Sequence, residues 1–153
     1  MITRLLIILT FSSAIYAQDP GPYHGPGFSL TPPSFDASGS GQVAMFFLPP
    51  TGAFAANVNV QIQDFPGTLA EYDQVTRAQC SQAGLKILKA DIQSTFIDYE
   101  YTGARGGNHL HWVARALSRG GKIYLVTGTC LESKDTLQIE SLRNSVVSFS
   151  FSK

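Results

Sequence analysis

Few residues in this chain have both the type and the spacing that chemistry demands, and His109-Leu110-His111 comes nearest. In a strand, residues two apart point to the same face, so these two imidazoles could ligate one metal ion. A third ligand is required, and none stands nearby in sequence; His24 lies far off in a Pro/Gly-rich stretch. The plain alternative is a polar strand face beside a glycine-rich turn. Gly103 to Asn108 has the glycines of a phosphate cradle, but the Lys-Ser/Thr pair and the helix start that a P-loop needs are missing. Serines are many, yet no G-x-S-x-G elbow and no base–orienter series accompanies them. Asp98 and Glu100 share a strand face, where two carboxylates are ordinarily solvated, and they do not make a glycosidase pair. No catalytic residue is nominated and no cofactor is expected.

Cys80 and Cys130 are the only cysteines. Neither sits in a motif that marks a reactive thiol or a zinc site. Whether they bond to each other depends on the compartment and on whether their Cα atoms approach closely enough. The compartment is suggested by the N-terminus. Met1 and Arg4 precede an apolar run from Leu5 to Phe11, and Ser12 to Ala17 lead into Gln18. That is a signal-peptide pattern over residues 1–17, too short to span a bilayer. It predicts a secreted or periplasmic protein with no stable membrane insertion after cleavage, in a setting that permits a Cys80–Cys130 disulfide. The alternative is two small buried residues that never meet.

The balance of charge narrows the partners. The chain has 11 basic and 11 acidic residues, and losing Arg4 leaves one more acid than base. With no Lys/Arg cluster, nucleic acid is not an expected partner. The length after residue 17 suits one domain with a continuous core.

The elements that must position these residues can be read in order. Residues 18–27, QDPGPYHGPG, read as an exposed leader, and the domain is expected over 28–153. Phe28 to Thr31 is a short strand candidate stopped by Pro32-Pro33, and 36–41 reads as a loop. Gln42 to Leu48 is an apolar strand. In 56–63, Ala56, Val58, Val60 and Ile62 alternate with Asn57, Asn59, Gln61 and Gln63, the period-2 signature of a strand with one wet face. Thr68 and Glu71 make a capping box that starts a helix, and Gly84 ends it. That helix turns Leu69, Tyr72, Thr76, Cys80 and Ala83 to one side, with Val75 beside them. Lys86 to Ile92 is a weak strand candidate, and Thr95 to Tyr101 is a clearer one leading into a glycine-rich loop over 103–107. Leu110, Trp112, Ala114 and Ala116 alternate with His111, Val113, Arg115 and Leu117. Ser118-Arg119-Gly120-Gly121 then turns into a strand over Ile123 to Thr129. A terminal helix is predicted over Thr136 to Val147, with Asp135 as its cap and Ile139, Leu142 and Val146 inward; Phe149 and Phe151 would pin the C-terminus. Strands, a helix, a run of antiparallel strands and a last helix make an α+β layer fold.

In that order the segments resemble the PsbP superfamily, whose fold is shared by a photosystem extrinsic protein and a nuclear Ran-binding protein. The resemblance rests on GFSLTPP (Gly27 to Pro33), on AMFFLPP with NVNVQIQ, on GTLAEYDQVTRAQ, and on KIYLVTGT followed by a helix closing in SVVSFSF. It covers nearly all of residues 27–151. It implies an α/β/α sandwich around a twisted, mostly antiparallel sheet with two main helices. It also implies a binding, assembly or accessory role, since the family has no shared catalytic motif. No metal site transfers from the plant branch, and a Ran-like partner does not suit an exported chain.

The expected function is a non-catalytic exported domain that binds a protein or a small ligand in the envelope or outside the cell. A hydrolase with a site near His109 and His111, and a metal-dependent binding module, stand as alternatives. Tyr99, Tyr101 and Trp112 are aromatic candidates for a binding face, although one face of each strand must be core.

Overall fold

Two diglycine turns set the middle of the sheet. The computed structural model describes residues 23–25, 27–30, 41–50, 54–132 and 136–151. Within it, β6 (Phe96–Arg105) runs into β7 (Asn108–Arg119) through Gly106-Gly107, and β7 runs into β8 (Lys122–Leu131) through Gly120-Gly121. Each pair has positive φ at both positions, +58° and +79° in the first, +61° and +74° in the second. Those are the angles a two-residue hairpin with a primed turn requires, and only glycine adopts them without strain. The glycine-rich loop expected over 103–107 is therefore shorter. Gly103, Ala104 and Arg105 stay paired with Leu110, His109 and Asn108, and strand β6 carries on to the turn.

Five further strands complete the description. β4 (Asn57–Asp64) pairs with β8 along its whole length, and β3 (Gly41–Phe47) pairs with β4 as an edge. β5 (Lys86–Ile92) forms the other edge beside β6, so the weak strand expectation there holds. The result is a six-stranded antiparallel sheet in the order β3-β4-β8-β7-β6-β5. Separately, β1 (Tyr23–Gly25) and β2 (Phe28–Leu30) form a two-stranded sheet of their own.

Helix α1 (Leu69–Gln82) begins as its sequence dictates. Thr68 Oγ1 accepts the Glu71 N–H at 3.2 Å, and Glu71 Oε2 accepts the Thr68 N–H at 2.7 Å. At the other end Gly84 N–H donates to the Ser81 carbonyl and Leu85 N–H to the Cys80 carbonyl, with Gly84 at φ +68°. This is a Schellman ending. Helix α2 (Thr136–Val147) follows β8, with Leu142 and Val146 buried as expected and Ile139 against the same core. Its expected cap, Asp135, lies outside the described residues.

The two helices cover opposite faces of the sheet. Tyr72 of α1 packs with Ile97, Tyr99, Ala114, Ala116 and Ile123. Leu142 and Val146 of α2 pack with Ala56, Val58, Val113, Val126 and Cys130. The alternation along each strand divides these two cores: on β7, Ala114 and Ala116 face α1, while Val113 faces α2. The expected α+β sandwich is the observed one.

That same division corrects one expectation. Cys80 belongs to α1 on one face, and Cys130 of β8 belongs to the core under α2 on the other. Both are buried, the sheet stands between them, and no disulfide joins them. A sheet is about 10 Å from what packs on it, beyond the Cα separation of roughly 7 Å that a disulfide spans.

The stretch 1–17, read as a signal peptide, lies outside the described residues. No described helix is long and apolar enough to cross a membrane.

Candidate functional site

A helix is about 10 Å wide, whereas strands are about 4.8 Å apart, so one helix covers roughly two strands. Helix α1 rests on β5 and β6. Beside it, the α1 face of β6, β7, β8 and β4 forms the floor of a cleft of about 410 Å³. Tyr72, Thr76, Gln79, Cys80 and Ala83 supply the helix wall. The floor comes from Tyr99 and Tyr101 of β6, Trp112 and Ala114 of β7, Leu125 of β8, and Gln61 and Gln63 of β4. Arg105, at the end of β6, completes the rim.

Tyr101 and Trp112 are register partners on neighbouring strands, and their rings stack at 5.2 Å between centroids with 18° between planes. The pair gives the cleft a flat aromatic surface. Polar groups of the lining are ordered in a chain. The Tyr72 hydroxyl donates to Gln63 Oε1 at 2.9 Å, and Gln63 Nε2 donates to Gln61 Oε1 at 3.3 Å. Beside them Tyr99 donates to the buried carboxylate of Asp73 at 3.1 Å, and Arg77 Nε meets the other oxygen at 2.8 Å. Burial pushes the hydroxyls of Tyr72, Tyr99 and Tyr101 above the ordinary tyrosine range, and it pushes the Cys80 thiol up as well. These groups are held neutral, as hydrogen-bonding and packing surfaces rather than nucleophiles.

The histidines occupy the opposite face. His111 is buried, and its Nε2 lies 2.9 Å from Glu100 Oε1, while Arg143 of α2 holds the other Glu100 oxygen at 2.9 Å. His109 is largely exposed, and its Nδ1 is 3.7 Å from Glu132. The two imidazoles thus share a face but turn to different carboxylates. No group of three metal-ligating side chains occurs among the described residues. Asp98, read as solvated, forms a two-pronged bond with Arg115 at 2.7 Å on each prong, and Glu100 anchors the terminal helix instead of meeting solvent. His24 falls in β1, in the separate small sheet.

Part of the cleft was visible in the sequence. Trp112 does stand opposite His111, and the wet face of β4 does present Gln61 and Gln63. Thr76 was placed on the correct side of its helix, but Gln79 and Arg105 were missed. The alternation Tyr99, Tyr101, Gly103, Arg105 was the available signal: carried past the first glycine, it sets the guanidinium on the same face as the two rings.

No family model matches the chain, and no curated protein matches it. Among solved structures, a Pseudomonas aeruginosa protein of unknown function is similar at 18% identity with a TM-score of 0.65, over 87% of this chain and 97% of that one. A PsbP from the cyanobacterium Synechocystis is similar at 18% identity with a TM-score of 0.42, over 68% of this chain and 79% of that one. The second value is too low to carry an argument, and the first establishes a shared fold. Neither likeness supports the expected export, which rests on residues 1–17 alone. What the comparisons do establish is that this mixed α/β sandwich is the fold of at least one other bacterial protein.

Proposed function

We propose that this chain is a non-catalytic binding domain that takes a small, partly apolar organic molecule into the cleft between α1 and the sheet. The observation that carries the reading is the stacked Tyr101–Trp112 pair, which lines an open cleft of about 410 Å³. That size lies within the range of roughly 300–1,000 Å³ in which small-molecule sites fall, and an aromatic wall with a few placed polar groups is their usual make-up. The ordered segments that resemble the PsbP superfamily support an accessory role over a catalytic one. A hydrolase or a metal-dependent module would centre on His109 and His111, and there His111 is already engaged by Glu100.

Trp112 is the only tryptophan, so its emission reports on this cleft alone. A panel of small amphipathic compounds is expected to contain members that shift that emission and raise the melting temperature together, as binding to the folded state requires. Gln79→Phe, at an exposed position on the cleft wall, is expected to weaken such binding at least tenfold without lowering the melting temperature of the unliganded protein. The reading fails if no compound perturbs Trp112, or if Gln79→Phe binds as well as the parent.

A further inference from the structure

Resting on the cleft reading above, we propose that the ligand is an organic monocarboxylate, its acid group held by Arg105 and its apolar body laid on Tyr101 and Trp112. Arg105 is the one charged side chain among the described residues that line the cleft. It is exposed, and it has no ion-pair or hydrogen-bond partner for its guanidinium among the described residues. The other polar groups point the same way. Trp112 Nε1 can only donate, and it has no described partner. The chain from Tyr72 through Gln63 occupies Gln61 Oε1 and leaves the Gln61 amide nitrogen as the end that faces onward. A cleft that offers a cation and several donors, with no carboxylate among the described residues that line it, complements an anion rich in acceptors.

The form of the cation selects the kind of anion. A single guanidinium is a planar fork that matches a carboxylate in two parallel bonds. A phosphate carries nearly twice the charge and is ordinarily met by a nest of backbone N–H groups or by several cations. Here the chain around Arg105 is paired strand and the rest of the lining is uncharged. The stacked rings and Leu125 then require an apolar remainder, either a flat ring or a short chain.

The test titrates phenylbutyrate and its neutral carboxamide into the full chain and follows Trp112 emission and the melting temperature. The acid is expected to bind at least tenfold more tightly than the amide at low salt. Arg105→Gln should remove that difference by weakening the acid alone, and Arg105→Lys should recover only part of it because the fork is lost. If acid and amide bind the parent equally, or if Arg105→Gln keeps the preference, the carboxylate assignment is overturned while the cleft reading stands. If neither compound perturbs Trp112 or the melting temperature while another member of the amphipathic panel does, the carboxylate assignment falls and the cleft reading stands; if no member of the panel does, both fall.

Discussion

Tyr101 of β6 has its hydroxyl unpartnered among the described residues, whereas the buried Tyr72 and Tyr99 each donate a hydrogen bond. All three have their pKa raised, and burial is the largest cause in each. The consequence for stability has a definite sign. An unfolded tyrosine ionises near pH 10, while the folded one keeps its proton to higher pH. Above about pH 10 the unfolded state therefore binds fewer protons, and stability falls as pH rises; below it this contribution is fully present. Urea midpoints are expected to be insensitive to these groups up to about pH 10 and to drop steadily beyond it. Tyr101→Phe isolates one group, since it breaks no hydrogen bond. It should leave the midpoint at neutral pH nearly unchanged and make the alkaline fall shallower, by at most about 1.4 kcal/mol per pH unit. An alkaline slope identical to the parent's would show that Tyr101 ionises as freely folded as unfolded.

At the scale of elements, helix α2 is seated by a missing side chain. Gly128 of β8 lies between Val58 and Val113 in register, and Leu142 sits directly over it. A Cβ built on Gly128 would come within 2.9 Å of Leu142 Cβ and 3.1 Å of Val113 Cγ2. The first of these is bonded to the helix backbone, so α2 as a whole has to move to make room. Gly128→Ala is expected to destabilise the protein by about 1–3 kcal/mol, the usual cost of overfilling a packed core. In an open strand the same change would be neutral or favourable. Chemical denaturation decides between them, and an unchanged midpoint would mean that α2 steps back without loss. This contrast marks what was legible in the sequence. The capping box of α1 depends on residues three apart and was read directly. The two diglycine turns and the alternation of β4 and β7 are equally local. The need for a glycine at 128 arises only when α2 folds back onto β8 and is written in no neighbouring residue. Arg105 was lost to the site for a related reason: three glycines in five residues look like a loop until the pairing of β6 with β7 is known to continue through the first.

For the molecule as a whole, the sheet is a partition, and the cysteines show what that does. Composition and a supposed compartment allowed Cys80 and Cys130 to bond, and only Cys80, on the inward side of its helix, is expected from the sequence to be buried. Which face each one serves depends on how a helix and a strand far apart in sequence are layered, and that forbids the bond. Cys80 lies in the cleft wall and is 7% exposed, whereas Cys130 lies under α2 and is 1% exposed. Two consequences follow from one arrangement. In denaturant without reductant, both thiols should titrate with a disulfide reagent, and reductant should not change the electrophoretic mobility of the chain. In the native protein, labelling should be slow at both sites because both thiols are buried, and at Cys80 burial also raises the pKa and keeps thiolate scarce. Cys80 should nevertheless react first, because the cleft gives a reagent access without unfolding, while Cys130 must wait for α2 to open. A compound that occupies the cleft should slow Cys80 and leave Cys130 at its earlier rate, apart from the general stabilisation that binding confers on both. Mass spectrometry of peptides from timed alkylation reads the two rates separately. Fewer than two thiols in denaturant would contradict the layering itself, and equal native rates would mean that the cleft admits nothing to the face of α1 that lines it.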